Sequence, residues 1–142
     1  HPDVVYPEYP FTGHQATERN MAYEAVRGAL CLLGLDRLHY GTSAWNPLAD
    51  VIGPDDFVVI KPNMVRDFHE DPTQGTDALI THGSVVRALV DYVYLAKGKR
   101  GRVVICDSPQ NDADWNGLVK AFRFDDLRAF FENDLRFLEQ FA

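Results

Sequence analysis

The sequence predicts an α/β fold in which parallel strands alternate with helices. Two short apolar runs, Phe57 to Ile60 and Arg102 to Cys106, have the composition of buried strands, and a helical apolar pattern from about Gly83 to Lys97 separates them. A strand, a crossover helix and a second strand almost always form a right-handed parallel unit. Because 142 residues suit one domain, we expect a single three-layer, Rossmann-like domain over residues 1–142, with helices flanking a mostly parallel sheet.

The first third of the chain contains one clear helix. Prolines interrupt the apolar residues between Asp3 and Phe11, so we expect only a short strand there, at an edge of the sheet. From Asn20 to Leu33, apolar residues recur at helical spacing, with Asn20 as the N-cap and a glycine after the end. The segment from Asp36 to Pro54 predicts an irregular connection with one helical turn near Leu48 and with Trp45 covering the core.

The middle of the chain carries the two strands and the helix between them. The run from Phe57 to Ile60 does not alternate, which predicts a central strand that is covered on both faces. About twenty residues without a regular pattern follow it, and loops of that length in a compact domain are usually functional or disordered. We expect a functional loop. Thr81 is the predicted N-cap of the helix from Gly83 to Lys97.

Three more elements are expected towards the end of the chain. Apolar residues from Leu118 to Phe122 predict a short helix. A second helix is predicted from Asp125 to Glu132, with acidic residues in the first turn, where the helix dipole favours them. The stretch from Leu135 to Phe141 predicts a third strand. No repeat or flexible linker suggests a second domain.

The composition excludes several classes of protein. Lysine and arginine total 14 against 21 aspartate and glutamate, a net charge of −7 that argues against nucleic acid as a partner. The apolar runs are too short to cross a bilayer, so we expect no membrane partner. Cys31 and Cys106 lack metal-ligand spacing, and no signal peptide is visible, which favours the cytoplasm. The chain starts at His1 without a methionine, and we expect a fragment of a longer protein.

Polar side chains follow both predicted strands at the points where those strands end. Lys61 and Asn63 follow the first strand, and Asp107 and Ser108 follow the second. In open α/β sheets, ligands bind outside the carboxyl ends of the strands. We therefore expect these four side chains to line one pocket.

The start of the crossover helix is expected at the same edge of the sheet. Thr81 and His82 open that helix, whose free N–H groups and dipole favour a negative group. Gly83 would let such a group approach closely. The alternative is that Thr81 simply caps the helix.

Each side chain of the predicted pocket also has a structural interpretation. Lys61 can bind a phosphate or carboxylate or act as a base, or it can lay its stem on the core with its charge in water. Asp107 can receive a ligand hydroxyl, hold a cation or form a salt bridge with Lys61. Asn63 can bond to neighbouring backbone alone. Ser108 lacks the G-x-S-x-G surroundings of a hydrolase nucleophile.

Metal ligands are also available near this edge, although such side chains are usually just solvated. They are His69, Glu70, Asp71, His82 and Asp107. We assign no metal, and the sequence identifies no cofactor. A glycine-rich phosphate loop, an H-E-x-x-H pair and a C-x-x-C pair are absent from the sequence.

Three segments together resemble a known family, the domain of unknown function 362 family, over about Glu24 to Asn116. They are Val59-Ile60-Lys61-Pro62-Asn63-Met64-Val65, Thr81-His82-Gly83-Ser84-Val85-Val86-Arg87-Ala88-Leu89-Val90 and Arg102-Val103-Val104-Ile105-Cys106-Asp107-Ser108-Pro109. The resemblance implies an α/β domain, a motif edge and no settled activity. The residues that carry the motif edge are Lys61, Asn63, Thr81, His82, Asp107 and Ser108.

The chain departs from this family pattern in two respects. The family often has proline and glutamate where this chain has Gly83 and Ser84, so a capping box is lost. It often has glycine where this chain has Gln110, so we expect a different loop after Asp107. Some members carry ferredoxin-like cysteine motifs for iron–sulfur clusters, which two distant cysteines do not provide.

Two hypotheses of different classes follow. The first is an enzyme domain that binds a small anionic metabolite, with Lys61 as electrostatic anchor and Asp107 as base or cation ligand. Four further side chains would orient the ligand or hold its negative group: Asn63, Ser108, Thr81 and His82. The second is a noncatalytic binding or assembly domain, whose aromatic stretch from Phe122 to Phe141 docks on a partner or on a second copy as a homo-oligomer.

Overall fold

The structure of the protein, a computed structural model, describes residues 1–98, 100–131 and 135–138. It contains helices and a parallel sheet, and its contacts divide the chain into two compact units, His1–Asp56 with Ser84–Gly101 and Phe57–Gly83 with Arg102–Ala142. The elements in chain order are α1 (Met21–Leu32), a 3-10 helix (Arg37–His39), β1 (Phe57–Ile60), α2 (Gly83–Lys97), β2 (Arg102–Cys106), α3 (Trp115–Phe122), α4 (Phe124–Phe130) and β3 (Leu135–Leu138).

The three strands form one parallel sheet in the order β1-β2-β3. Ile60 of β1 lies beside Ile105 of β2, and Val103 of β2 lies beside Leu135 of β3. Val103 and Ile105 are fully buried, as expected for the middle strand of a parallel sheet. The predicted parallel pair of β1 and β2 is thus confirmed. The last residues of the predicted third strand, 139–141, lie outside the described part of the chain.

β1 lies at an edge of the sheet, so the prediction of a central strand covered on both faces is wrong. Phe57 and Val59 are 56% and 40% exposed. The predicted edge strand between Asp3 and Phe11 does not form, and turns and bends occupy that segment. Its prolines fix φ and remove backbone donors, which prevents a strand from pairing there.

The ends of α1 are fixed by the residues that the sequence predicts. The Asn20 side chain accepts a hydrogen bond from the N–H of Tyr23 at 3.2 Å. Gly34 has a φ of 77°, a left-handed conformation that favours glycine after a helix. The predicted turn near Leu48 is also present, because the N–H of Ile52 donates to the carbonyl of Leu48 at 2.8 Å.

Aromatic side chains form the core of the first unit. Trp45 is 1% exposed, which confirms that it covers the core. The Arg27 guanidinium lies 4.5, 4.6 and 5.2 Å from the ring centroids of Tyr6, Tyr40 and Trp45. Its Nε donates to the buried Glu8 at 2.6 Å. The N-terminal segment is therefore joined to α1 by a charge pair that is enclosed by rings.

α2 spans Gly83–Lys97, as the sequence predicts. The last two helices differ from the prediction at their ends. α3 begins before the predicted Leu118, because the Asp114 carboxylate accepts from the N–H groups of Asn116 and Gly117 at 3.2 and 3.1 Å. α4 ends at Phe130, and the predicted end, Glu132, lies outside the described residues. No helix in the described ranges has the length and apolar character that a membrane span requires.

Candidate functional site

Lys61 and Asp107 lie side by side where β1 and β2 end. The parallel register brings both strands to the same edge of the sheet. The Nζ of Lys61 lies 2.6 Å from Oδ1 of Asp107. The Lys61 side chain is 66% exposed, whereas that of Asp107 is 5% exposed. The ion pair therefore has one end in the protein and the other in water.

Asp107 is held as an ionised carboxylate by the backbone around it. Its Oδ1 also accepts from the N–H of Ser108 at 2.8 Å, and its Oδ2 accepts from the N–H of Met64 at 2.6 Å. Burial raises the pKa of Asp107, but Lys61 and the two amides outweigh burial and lower this pKa below the ordinary value of 3.8. A carboxylate with a low pKa is a weak base at neutral pH, which favours a positioning role for Asp107.

Asp107 should make the stability of the protein depend on pH in the acid range. Because its pKa is lower in the folded state, the carboxylate stabilises the fold above an unfolded pKa of about 4, and this contribution is lost as the pH falls through the folded pKa. We expect the free energy of unfolding to fall more steeply below about pH 4 in the wild type than in Asp107→Asn. Urea unfolding from neutral to acid pH measures both slopes, and equal slopes would contradict the assignment.

Asn63 and Thr81 are joined by two reciprocal hydrogen bonds. The N–H of Asn63 donates to the Thr81 hydroxyl at 2.9 Å, and the N–H of Thr81 donates to the carbonyl of Asn63 at 2.7 Å. Since α2 begins at Gly83, the residue before the helix is His82. The prediction of Thr81 as N-cap is therefore wrong, because its hydroxyl accepts from a neighbouring segment instead.

Residues 64–67, which we name the strip, are attached one after another to the segment that follows β2. The N–H of Met64 donates to Oδ2 of Asp107 at 2.6 Å, and the carbonyl of Val65 accepts from the N–H of Gln110 at 3.0 Å. Nε of Arg66 lies 3.2 Å from Oδ1 of Asp112, and Oδ1 of Asp67 accepts from the N–H of Asp114 at 2.8 Å. The long loop predicted after β1 thus begins as an ordered segment beside the Lys61–Asp107 pair.

The far end of the strip packs against the start of α3. A Cβ on Gly117 would lie 2.7 Å from Oδ2 and 2.9 Å from the Cβ of Asp67, so a larger residue there would force the Asp67 side chain to shift. Sequence reasoning missed Asp67, Asp114 and Gly117. The available signal was a glycine in the first turn of a helix that follows an aspartate N-cap.

The family of the chain follows from a comparison with known families. The family model for the domain of unknown function (DUF362) matches residues 58–136. That span includes the two strand ends, the strip and every predicted site residue. The chain belongs to the DUF362 family. No curated protein and no solved structure matches it.

The other predicted site residues of this DUF362 domain lie at exposed positions. Asn63, His82 and Ser108 are exposed. Met64 connects the two groups of site residues, because it follows Asn63 and its N–H bonds to Asp107. The space beside Gly83 is occupied by the backbone of Phe122, since a Cβ on Gly83 would lie 2.5 Å from the carbonyl oxygen of Phe122.

The predicted metal ligands of the long loop interact locally. A ring nitrogen of His69 accepts from the N–H of Asp71 at 3.0 Å. Oε1 of Glu70 lies 3.0 Å from Nη1 of Arg66, with which it forms an ion pair. Over the residues that the structure describes, no three histidine, cysteine, aspartate or glutamate side chains form a group that could hold a metal ion.

The aromatic stretch near the end of the DUF362 domain is mainly internal where it is described. Phe122, Phe124 and Phe131 are 3%, 2% and 6% exposed. These three rings are therefore not available to a docking partner, whereas Phe130 is half-buried. The side chain of Phe137 and the whole of Phe141, which the same hypothesis includes, lie outside the described part of the chain.

Proposed function

We propose that this DUF362 domain is an enzyme domain that binds a small anionic metabolite at the edge where β1 and β2 end. The observation that supports the proposal is the Lys61–Asp107 pair, in which a buried carboxylate holds an exposed ammonium 2.6 Å away. An ammonium has three donors, and one bond to Asp107 leaves capacity for a ligand. Lys61 is thus the anchor for the negative group.

The neighbouring side chains would complete the site. In our proposal, Asn63 and Ser108 orient the ligand, and Thr81 acts through its two bonds to Asn63. His82 supplies a further polar group at the start of α2. Asp107 positions Lys61 and does not itself take a proton, which agrees with its lowered pKa.

The overall charge of the protein limits which anions can bind. The net charge of −7 repels anions at long range, but salt screens exposed charges beyond about 8–10 Å. Binding therefore depends on the N–H donors that the Lys61 ammonium keeps free beside Asp107. A small ligand with one or two negative charges fits this balance better than a polyanion does.

A thermal-shift experiment with inorganic phosphate and small carboxylates tests the proposal. At about ten times its dissociation constant, a bound anion should raise the Tm by about 3–6 °C. Lys61→Ala should lose this shift. Lys120→Ala, which removes another exposed lysine from α3, should keep it. Equal shifts in both variants, or none for any anion in the wild type, would rule out Lys61 as the anchor.

We extend the proposal to the architecture and location of the chain. We infer a single three-layer, Rossmann-like α/β domain over residues 1–142, to which the parallel order of β1 and β2 lends support. We also infer a cytoplasmic location. Cys31 and Cys106 are free thiols, and free thiols are typical of a reducing compartment.

A further inference from the structure

Residues 63–65 and 79–81 form a short antiparallel pairing, which we name the ladder. A bridge at Met64 lies at its centre. On either side of this bridge a backbone N–H donates to a backbone carbonyl across the ladder, at 3.1 and 2.7 Å. The shorter of these bonds joins Thr81 to Asn63. The ladder therefore closes the long loop that follows β1.

The loop runs between two fixed points of the chain. Before it, each of the four residues of the strip is attached to the segment after β2. After it, the backbone of Gly83 lies so close to Phe122 that a Cβ would be 2.5 Å from that carbonyl oxygen. Residues 68–78 are mostly exposed. The side chain of Glu70, which pairs with Arg66, is 82% exposed, and exposed pairs contribute little. The ladder is thus the contact whose opening would release the loop.

One end of the ladder joins two groups of site residues. On one side, Asn63 follows Lys61 by two positions, and on the other side Thr81 directly precedes His82. The N–H of Asn63 donates to the Thr81 hydroxyl at 2.9 Å, and its carbonyl accepts from the N–H of Thr81 at 2.7 Å. These bonds fix the two groups relative to each other. A ligand that contacts both groups therefore binds the closed ladder more tightly than the open one.

We propose that an anion bound at Lys61 holds the ladder closed, so that ligand binding and the order of the loop are linked. The inference rests on the function proposed above, in which one ligand contacts both Asn63 and His82. The effect is reciprocal, because linkage requires that a closed ladder also favours the anion. If the open ladder has no affinity for the anion, a ligand at about ten times its dissociation constant lowers the open population about tenfold.

Amide hydrogen exchange followed by NMR measures how often the ladder opens. The reporters are the N–H groups of Val65 and Thr81, which donate across the ladder. Without a ligand they should exchange faster than the amides of β2, which lies between two strands. Inorganic phosphate or acetate at about ten times its dissociation constant should slow both reporters about tenfold. The N–H of Gly34, which donates to the carbonyl of Cys31 at 2.9 Å, should exchange at an unchanged rate.

Two valine variants separate the ladder from the rest of the loop. Thr81→Val removes the hydroxyl that accepts from the N–H of Asn63, and it should speed exchange of the Val65 N–H about 2–10-fold, the effect of one lost hydrogen bond. Thr81→Ser keeps the hydroxyl and should restore the wild-type rate. Thr73→Val removes a hydroxyl that donates to Asp71 at 2.8 Å within the loop, and it should leave this rate unchanged. Equal effects of the two valine variants would show that the loop does not open at the ladder.

The anion site and its coupling to the ladder can fail separately. Ladder amides that exchange no faster than those of β2 would show that the ladder does not open on its own, which overturns the coupling. If phosphate or acetate raises the Tm through Lys61 but leaves the ladder amides unchanged, the site stands and the coupling is wrong. If neither anion raises the Tm, both are wrong. The slowing by either anion should be lost in Lys61→Ala, and slowing that persists there would also overturn the coupling.

Discussion

Replacing Asp107 with alanine is expected to lower the free energy of unfolding by about 2–4 kcal/mol, because a buried donor left without a partner costs about 1–3 kcal/mol and charge-assisted bonds are lost as well. The donor is the N–H of Met64, a residue that is 0% exposed and whose bond to Asp107 measures 2.6 Å. The N–H of Ser108 loses its acceptor too. Urea unfolding at neutral pH measures the effect.

Lys61→Ala is the matched comparison for this variant. Because the Lys61 side chain is 66% exposed, its removal should cost no more than about 1 kcal/mol, as is usual for exposed ion pairs. Asp107→Asn keeps the size of the side chain, but its NH2 group must face a backbone N–H or the Lys61 ammonium, both of which are donors. We expect a loss of unfolding free energy between the losses of the two alanine variants. If alanine at positions 61 and 107 proved equally costly, the backbone contacts of Asp107 would not be its main contribution.

Replacing Gly83 with alanine is expected to destabilise the protein by about 1–3 kcal/mol, the usual cost of overpacking. The new Cβ would lie 2.5 Å from the carbonyl oxygen of Phe122. That oxygen belongs to the backbone at the end of α3 and cannot rotate away as a side chain could. The midpoint of urea unfolding should therefore fall.

Gly28→Ala provides the control for this substitution. Gly28 lies inside α1, and a Cβ there would meet nothing within 4 Å. Alanine is preferred over glycine in a helix by about 0.5–1 kcal/mol, so this variant should be more stable than the wild type. A stabilised Gly83→Ala protein would show that the chain can move away from Phe122 at little cost.

Local signals in the sequence predict the ends of α1 and the pairing of β1 with β2 well. Asn20 and Gly34 fix the ends of α1 through interactions within a few residues. The apolar runs of β1 and β2 are short and rich in β-branched residues, which favours strands over helix segments. The position of β1 within the sheet could not be predicted, because it depends on whether a distant segment pairs with it. The prolines between Asp3 and Phe11 indicated only that any strand in this segment would be short and at an edge of the sheet.

The site was predictable to the extent that it depends on strand direction. Two parallel neighbours deliver Lys61 and Asp107 to one edge, and the structure shows them in contact. The role of Thr81 was not predictable, because its hydroxyl bonds across 18 residues to Asn63. The strip was missed for a similar reason, since backbone bonds such as that from Gln110 to Val65 leave no pattern in side-chain types.

The strip also bears on which changes of length the family can tolerate. Each of its four residues has a separate partner after β2, so one inserted or deleted residue would shift every later contact out of register. From Phe68 to Ala78 the chain is mostly exposed, and additional residues there would extend into solvent. Evolution should therefore have varied the length of the chain between Phe68 and Ala78 and kept it constant from Lys61 to Asp67.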